Sequence, residues 1–302
     1  GNIRVTVSSS TGNYFAGAYT DADGNYSVPG LSSGSFKVCF KDFSGNFIME
    51  WYNDRANVSA ADLVLVAVGS DTPNIDAVLA QGGSISGRVT NASAEGIANV
   101  CVDVYDLDYN YTCWGYTDGN GDYAVMGLPP GTYKVKFEGE NVNFIAEWYN
   151  DKGNFVSADP VAVTAGSDTP SINAVLAQGG SISGRVTNAS AAGIANAYVD
   201  VYDLDYNFTC WGYTDGNGDY SVVGLPSGTY KVVFEVYDQN YIKEWYDNKG
   251  DITSADPVAV TAGSDTPSID AVLAQGGSIS GRVTNAAAEG IANVYIDVLD
   301  LD

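Results

Sequence analysis

The sequence predicts an all-β protein built of tandem antiparallel β-sandwich domains, and three observations lead there. A 97-residue period runs through the chain: GGSISGRVTNA begins at Gly82, Gly179 and Gly276, GSDTP at Gly69, Gly166 and Gly263, and EWY at Glu50, Glu147 and Glu244. No insertion interrupts the period, so each unit is domain-sized rather than one turn of a solenoid. Within a unit, apolar and polar residues alternate in short runs divided by Gly, Pro, Asn and Asp, the signature of strands joined by tight turns. An apolar share of 45% gives each unit material for its own core.

In the second unit the expected strands are 84–90, 99–105, 109–117, 123–126, 132–138, 144–149, 161–163 and 171–176, with no long helix. Seven or eight short strands in 97 residues imply two packed sheets. Val100, Val102 and Val104 are expected inward, and Cys101, Asp103 and Tyr105 outward, because successive side chains face opposite sides of a sheet. The next strand is expected to return as a hairpin pairing Tyr105 with Tyr109 and Asp103 with Tyr111, which turns Trp114, Tyr116, Trp211 and Tyr213 toward the core. Asp118-Gly119-Asn120-Gly121 and Pro129-Pro130-Gly131 supply the turns that follow. Trp51, Trp148 and Trp245 read as core anchors.

Charge and composition exclude several functions. With 13 basic and 37 acidic side chains the net charge is −24, which repels nucleic acid and anionic membranes alike. No apolar run approaches the length of a spanning helix, and no basic segment leads into an apolar stretch at the N-terminus; an exported protein is expected here in mature form. The absence of histidine removes imidazole catalysis, and carboxylates such as Asp106 and Asp108 fall in an expected exposed turn; no enzyme is predicted.

The stretches SISGRVTNASAEGIANVCVDVYDLD and YTDGNGDYAVMGLPPGTYKV resemble the carboxypeptidase regulatory-like domain and the B-type repeats of bacterial collagen-binding adhesins, which are transthyretin-like, Ig-like sandwiches. The T-D-x-x-G-x-Y motif recurs at Thr20, Thr117 and Thr214. The resemblance covers nearly the whole chain and implies extracellular spacers, stalks and adhesin modules of prokaryotic surface proteins; it rarely implies catalysis. Some adhesin relatives form a Lys–Asn isopeptide bond between first and last strands. Here the first strand carries Arg88, Arg185 or Arg282, and the last strand Asp76, Asn173 or Asp270, so no such bond is expected.

Four further features are candidate sites. Alternating oxygen donors, Asp21, Asp23 and Asn25, then Asp118, Asn120 and Asp122, then Asp215, Asn217 and Asp219, could hold calcium, or could be turn residues bonded to their own backbone. No other cofactor is expected. Cys101 and Cys113 flank the Asp106–Asp108 turn symmetrically and are expected to form a disulfide, leaving Cys39 and Cys210 as single or intermolecular thiols. Tyr105, Tyr109 and Tyr111, repeated as Tyr202, Tyr206 and Phe208, form an outward aromatic face suited to a glycan, a protein receptor or ordinary cross-strand packing. N-x-S/T triplets at Asn25, Asn57, Asn91, Asn110, Asn188 and Asn207 match a modification motif that composition alone explains.

The period is cut out of phase with the domains. Residues 1–81 form a repeat lacking its first strand, 82–178 and 179–275 are complete repeats, and 276–302 holds a first and second strand with no domain behind them. Ile279, Val283, Ile291, Val294, Ile296 and Val298 would stand uncovered, a template for strand addition. The expected acceptor is the first repeat of another copy, where Ile3, Val5 and Val7 keep their own second-strand places; a contact of this kind does not close on itself and builds a filament. The leading reading is a structural subunit of an extracellular filament, a head-to-tail homopolymer. A window of a longer tandem-repeat stalk, and an adhesin presenting its tyrosines, are the alternatives.

Overall fold

The computed structural model describes residues 2–139, 142–237 and 239–298, and the regular structure among them is entirely strand and bridge. Residues 299–302, the end of the expected donor segment, lie outside the described residues. The chain divides into two compact units: Gly1–Ser181 with Val223–Ser227 and Thr261–Ser264, and Ile182–Val222 with Gly228–Val260 and Asp265–Asp302.

In the first unit, the first repeat contributes β1 (Ile3–Ser9), β2 (Tyr14–Tyr19), β3 (Gly34–Asp42), β4 (Glu50–Trp51) and β5 (Val64–Val66), which form a single sheet ordered β2-β1-β3-β4 with β5 on β3. The second repeat carries β6 (Gly83–Thr90), β7 (Cys101–Tyr105), β8 (Tyr111–Tyr116), β9 (Asp122–Leu128), β10 (Gly131–Glu138), β11 (Glu147–Trp148), β12 (Val161–Val163), β13 (Asp168–Thr169) and β14 (Ala174–Val175). One of its sheets runs β11-β10-β7-β8 with β12 on β10; the other is centred on β6, which pairs with β9, β13 and β14. The expected alternation holds on β7, where Val102 and Val104 are fully buried. They meet Ile85, Val125, Leu128, Val135 and Phe137 in a core between the sheets.

The third repeat carries β15 (Gly180–Asn188), β16 (Tyr198–Tyr202), β17 (Phe208–Tyr213), β18 (Asp219–Leu225), β19 (Gly228–Glu235), β20 (Glu244–Trp245), β21 (Val258–Val260), β22 (Asp265–Thr266) and β23 (Ala271–Leu273). Its sheets are β17-β16-β19-β20 with β21 on β19, and β18-β15-β22 with β23 on β15. Beyond β23 every described residue from Gly277 to Val298 is exposed. That segment holds only a local turn, with a bridge between Thr284 and Gly290.

The hairpin register differs from the expectation. Asp106 Oδ1 accepts the backbone N–H groups of Asp108 and Asn110, at 2.9 and 2.8 Å, and Tyr109 takes a left-handed φ of 67°. This Asx turn consumes residues 106–110, so Tyr109 belongs to the turn and Tyr105 pairs with Tyr111. A bulge follows, after which Val104 opposes Cys113, Asp103 opposes Trp114 and Cys101 opposes Tyr116. The expected Cys101–Cys113 disulfide is therefore corrected: the two residues are three pairs apart along the hairpin, and all four cysteines stand as thiols. The same bulge turns Trp114, Tyr116, Trp211 and Tyr213 outward, each about half exposed, instead of into the core. Cys101, expected outward, is buried.

Candidate functional site

The strand β6 is the axis of the second sheet of its repeat, and side chains from both ends of the domain fasten it. Ser84 and Ser86 donate their hydroxyls to the two carboxylate oxygens of Asp168, each at 2.6 Å. The Arg88 backbone N–H donates to Asn173 Oδ1 at 2.9 Å, and Arg88 Nε to the Asn120 carbonyl at 2.9 Å. In the third repeat Arg185 N donates to Asp270 Oδ1 at 2.8 Å and Ser183 Oγ to Asp265 Oδ2 at 2.6 Å. The last-strand Asn or Asp thus has a defined job: it clamps the backbone of the first strand. Glycine is obligatory inside that strand, since a Cβ on Gly87 would lie 2.2 Å from the Ile172 carbonyl oxygen.

The first repeat has the walls of this arrangement without the strand. Residues 25–31 and 71–79, equivalent to β9, β13 and β14, form no strands. Between them lies a cleft of about 710 Å³, lined by Ile3, Tyr26, Val28, Leu31, Ile75 and Leu79 among others. Val28, Leu31 and Leu79 are only half-buried, whereas their counterparts Val125, Leu128 and Leu176 are fully shielded. The walls are nonetheless tied together as in the complete repeats: Tyr26 Oη donates to the Ile75 carbonyl at 2.5 Å, as Tyr123 does to Ile172 at 2.6 Å. Burial, followed by the nearby Asp76 carboxylate, pushes the Tyr26 phenol up to about 12. Asp71 and Asp76, the counterparts of the clamps Asp168 and Asn173, stand exposed on the cleft.

The segment after β23 carries the complementary side chains. Ile279, Ile296 and Val298 are 83%, 68% and 71% exposed, while Ile85, Val102 and Val104 at the matching positions of the second repeat are fully buried. Val283, Ile291 and Val294 are likewise exposed. On the acceptor side, Val5 and Val7 are buried in β1, with Ile3 half-buried beside them.

The other candidate residues have local uses. Asp21, Asp118 and Asp215 each accept two backbone N–H groups from their own loops: Asp23 and Asn25, Asn120 and Asp122, Asn217 and Asp219 respectively. These bonds hold the Asp21 and Asp215 carboxyls below their usual range. Among the described residues no three His, Cys, Asp or Glu side chains converge as a metal-holding group. Tyr105 and Tyr109 stack at 5.2 Å and pack on Trp148, while Tyr202 packs on Phe208 and Trp245; Tyr111 lies edge-on to Tyr105 at 5.6 Å, and Tyr206 is exposed. This aromatic face covers its own sheet. Two functional features escape a reading of the sequence alone: the carboxylates Asp71 and Asp76, and a junction between repeats in which the Asn46 carbonyl accepts Gly82 N–H at 3.0 Å. The recurrence of Asp in GSDTP, and of Asp or Asn at 76, 173 and 270, is the signal that could have found the first.

These features define a class, the tandem array of two-sheet sandwich modules whose first strand closes each core. The chain belongs to the carboxypeptidase regulatory-like domain family, whose pattern matches residues 84–176 and again 181–273. It is 25% identical over 262 residues to serine-aspartate repeat-containing protein F of Staphylococcus epidermidis, covering 78% of this chain and 16% of that protein. It is also 25% identical over 261 residues to serine-aspartate repeat-containing protein D of Staphylococcus aureus strain Newman, covering 77% and 20%. The chain thus spans a fifth or less of these relatives' length. Among solved structures it is similar to the Streptococcal ancillary pilin (TM-score 0.31, 15% identity, 82% of this chain and 77% of that one). It is also similar to the shaft pilin SpaA of Lactobacillus rhamnosus GG (TM-score 0.28, 10% identity, 67% and 100%).

Proposed function

We propose that this chain is a non-catalytic structural module of an extracellular filament or surface appendage, in which successive units join head to tail by β-strand complementation. The single observation that carries this reading is the pairing of an open, tied groove in the first repeat with an uncovered first-strand sequence after the third. Filling the groove covers several large apolar side chains, each contributing about 1.5–3 kcal/mol before ordering costs, and supplies the backbone partners that a sheet edge lacks. A donor end and an acceptor end on one chain make a heterologous contact, which propagates. A net charge of −24 keeps such a surface away from nucleic acid and anionic lipid.

Deleting residues 277–302 and examining the product by electron microscopy and light scattering tests this. Loss of filaments or higher assemblies with the repeats still folded is the expected result; normal assembly of the deleted chain contradicts it. The uninterrupted 97-residue period favours a second form of the same reading, a longer tandem stalk in which each groove is filled from the preceding stretch of its own chain. Intact mass of native material separates the two, a mass far above that of 302 residues favouring the stalk.

A further inference from the structure

We infer that the groove of the first repeat takes residues 276–291 of a second copy of this chain in one register, set by two glycines and two carboxylates. This rests on the strand-complementation reading and adds to it the partner segment and its alignment. The 97-residue offset fixes the alignment, because β6 and β15 already sit in grooves of the same construction. In the second repeat Ile85 lies between Val125 of β9 and Thr169 of β13, and Val89 opposite Ala174 of β14. The corresponding acceptor residues are Val28, Thr72 and Ala77, so Ile279 enters between the first two and Val283 opposite the third.

The polar contacts follow from the same alignment. Asp71 stands where Asp168 accepts the Ser84 and Ser86 hydroxyls, and is set to receive those of Ser278 and Ser280. Asp76 stands where Asn173 and Asp270 clamp a backbone N–H, and is set to receive that of Arg282. Thr20 gains a partner as well. Its counterpart Thr117 donates its hydroxyl to the Ile97 carbonyl at 2.6 Å, and Ile291 is the donor residue equivalent to Ile97. The segment also leaves its own domain from a fixed point: the Asn240 carbonyl accepts Gly276 N–H at 3.0 Å, as Asn46 does for Gly82. Past Ile291 the donor's second-strand copy finds its slot taken by β1, whose Val5 and Val7 are buried.

The register can be tested because it needs glycine at two places where the free chain does not. A Cβ on Gly83 would lie 2.4 Å from the Thr164 carbonyl oxygen, and on Gly87 or Gly184 2.2 or 2.3 Å from the Ile172 or Ile269 oxygen. At the equivalent Gly277 and Gly281 a Cβ would meet nothing within 4 Å in the free chain. Gly281→Val is thus harmless to the donor's own repeat and collides with the Ile75 backbone only after docking. Ala287→Ser, which restores the residue found at Ser93 and Ser190, is the control.

Assembly of the full chain is measured by light scattering and electron microscopy for wild type, Gly281→Val and Ala287→Ser. In parallel, fluorescein-labelled peptides 276–291, wild type and Gly281→Val, are titrated against the full chain by anisotropy. Gly281→Val is expected to weaken both assembly and peptide binding by at least about tenfold, with Ala287→Ser unchanged. Equal binding of the two peptides overturns the register while leaving strand complementation standing. No binding of the wild-type peptide, together with normal assembly after deletion of 277–302, overturns complementation itself.

Discussion

The first and second repeats share their turns, their tyrosine strut and most of their apolar positions, yet only the second closes a core around its second sheet. Tyr26 and Tyr123 make the same bond to the same carbonyl, and β1 and β7 bury the same face. What separates them is one strand. With β6 in place, residues 122–128 and 174–175 are strands and Leu128 and Leu176 are fully buried; without its equivalent, residues 25–31 and 71–79 are irregular and Leu31 and Leu79 are half-buried. A central strand contributes more than its own side chains, because it is also the hydrogen-bond partner of three others.

The widest expected difference between the two repeats is in core truncation. Leu128→Ala should cost the second repeat about 2–5 kcal/mol, while Leu31→Ala in the open groove should cost the first about 1 kcal/mol or less. Chemical denaturation of the single variants, followed by repeat-resolved amide exchange, reads both; equal costs would break the comparison. Next comes the buried threonine. Thr117 accepts the Val100 N–H at 2.9 Å and donates to Ile97, so Thr117→Val strands two backbone groups at about 1–3 kcal/mol. Thr20 accepts only the Ile3 N–H, at 3.0 Å, of these two partners, and Thr20→Val should cost about 1 kcal/mol. Thermal melts compare them.

A smaller, pH-dependent difference sits at the repeated EWY glutamate. Burial, with help from Asp151, raises Glu147 from 4.5 to about 7, and burial raises Glu50 as well, which lies on the less enclosed repeat. A raised carboxyl favours the protonated fold, so this contribution is complete below about pH 4.5 and is lost as pH rises through about 7. Melting between pH 5 and 8 should therefore flatten in Glu147→Gln, and change less in Glu50→Gln. The smallest effect is chemical: burial raises the Cys39 thiol to about 11, so the half-buried Cys113 and Cys210 should alkylate before Cys39 in the native state. Peptide mapping after timed alkylation checks the order.

The fold is legible in the sequence where a pattern repeats. The 97-residue period locates the domains, and alternation locates β6, β7, β10 and β12 within a residue or two. It misses β13, because a two-residue strand such as Asp168–Thr169 has no period to read, and it does not tell that β13 and β14 run parallel to β6. The Cys101–Cys113 pairing fails for a local reason: the Asp106 side chain closes a longer turn than symmetry suggests, and one bulged residue then flips the aromatic face. The groove is legible by subtraction, since the offset says which strand the first repeat lacks. Its clamps are not, because Asp71 and Asp76 look like ordinary turn carboxylates until the partners of Asp168 and Asn173 are seen.

Amide hydrogen exchange on the full chain, with and without saturating peptide 276–291, tests the central claim most directly. Strand complementation predicts that residues 25–31 and 71–79 exchange fast in the free chain and gain protection approaching that of 122–128 and 168–176 when the peptide is bound, with the second repeat unchanged. Protection of the first-repeat walls that is already high without peptide, or that does not rise when it is added, would contradict the account.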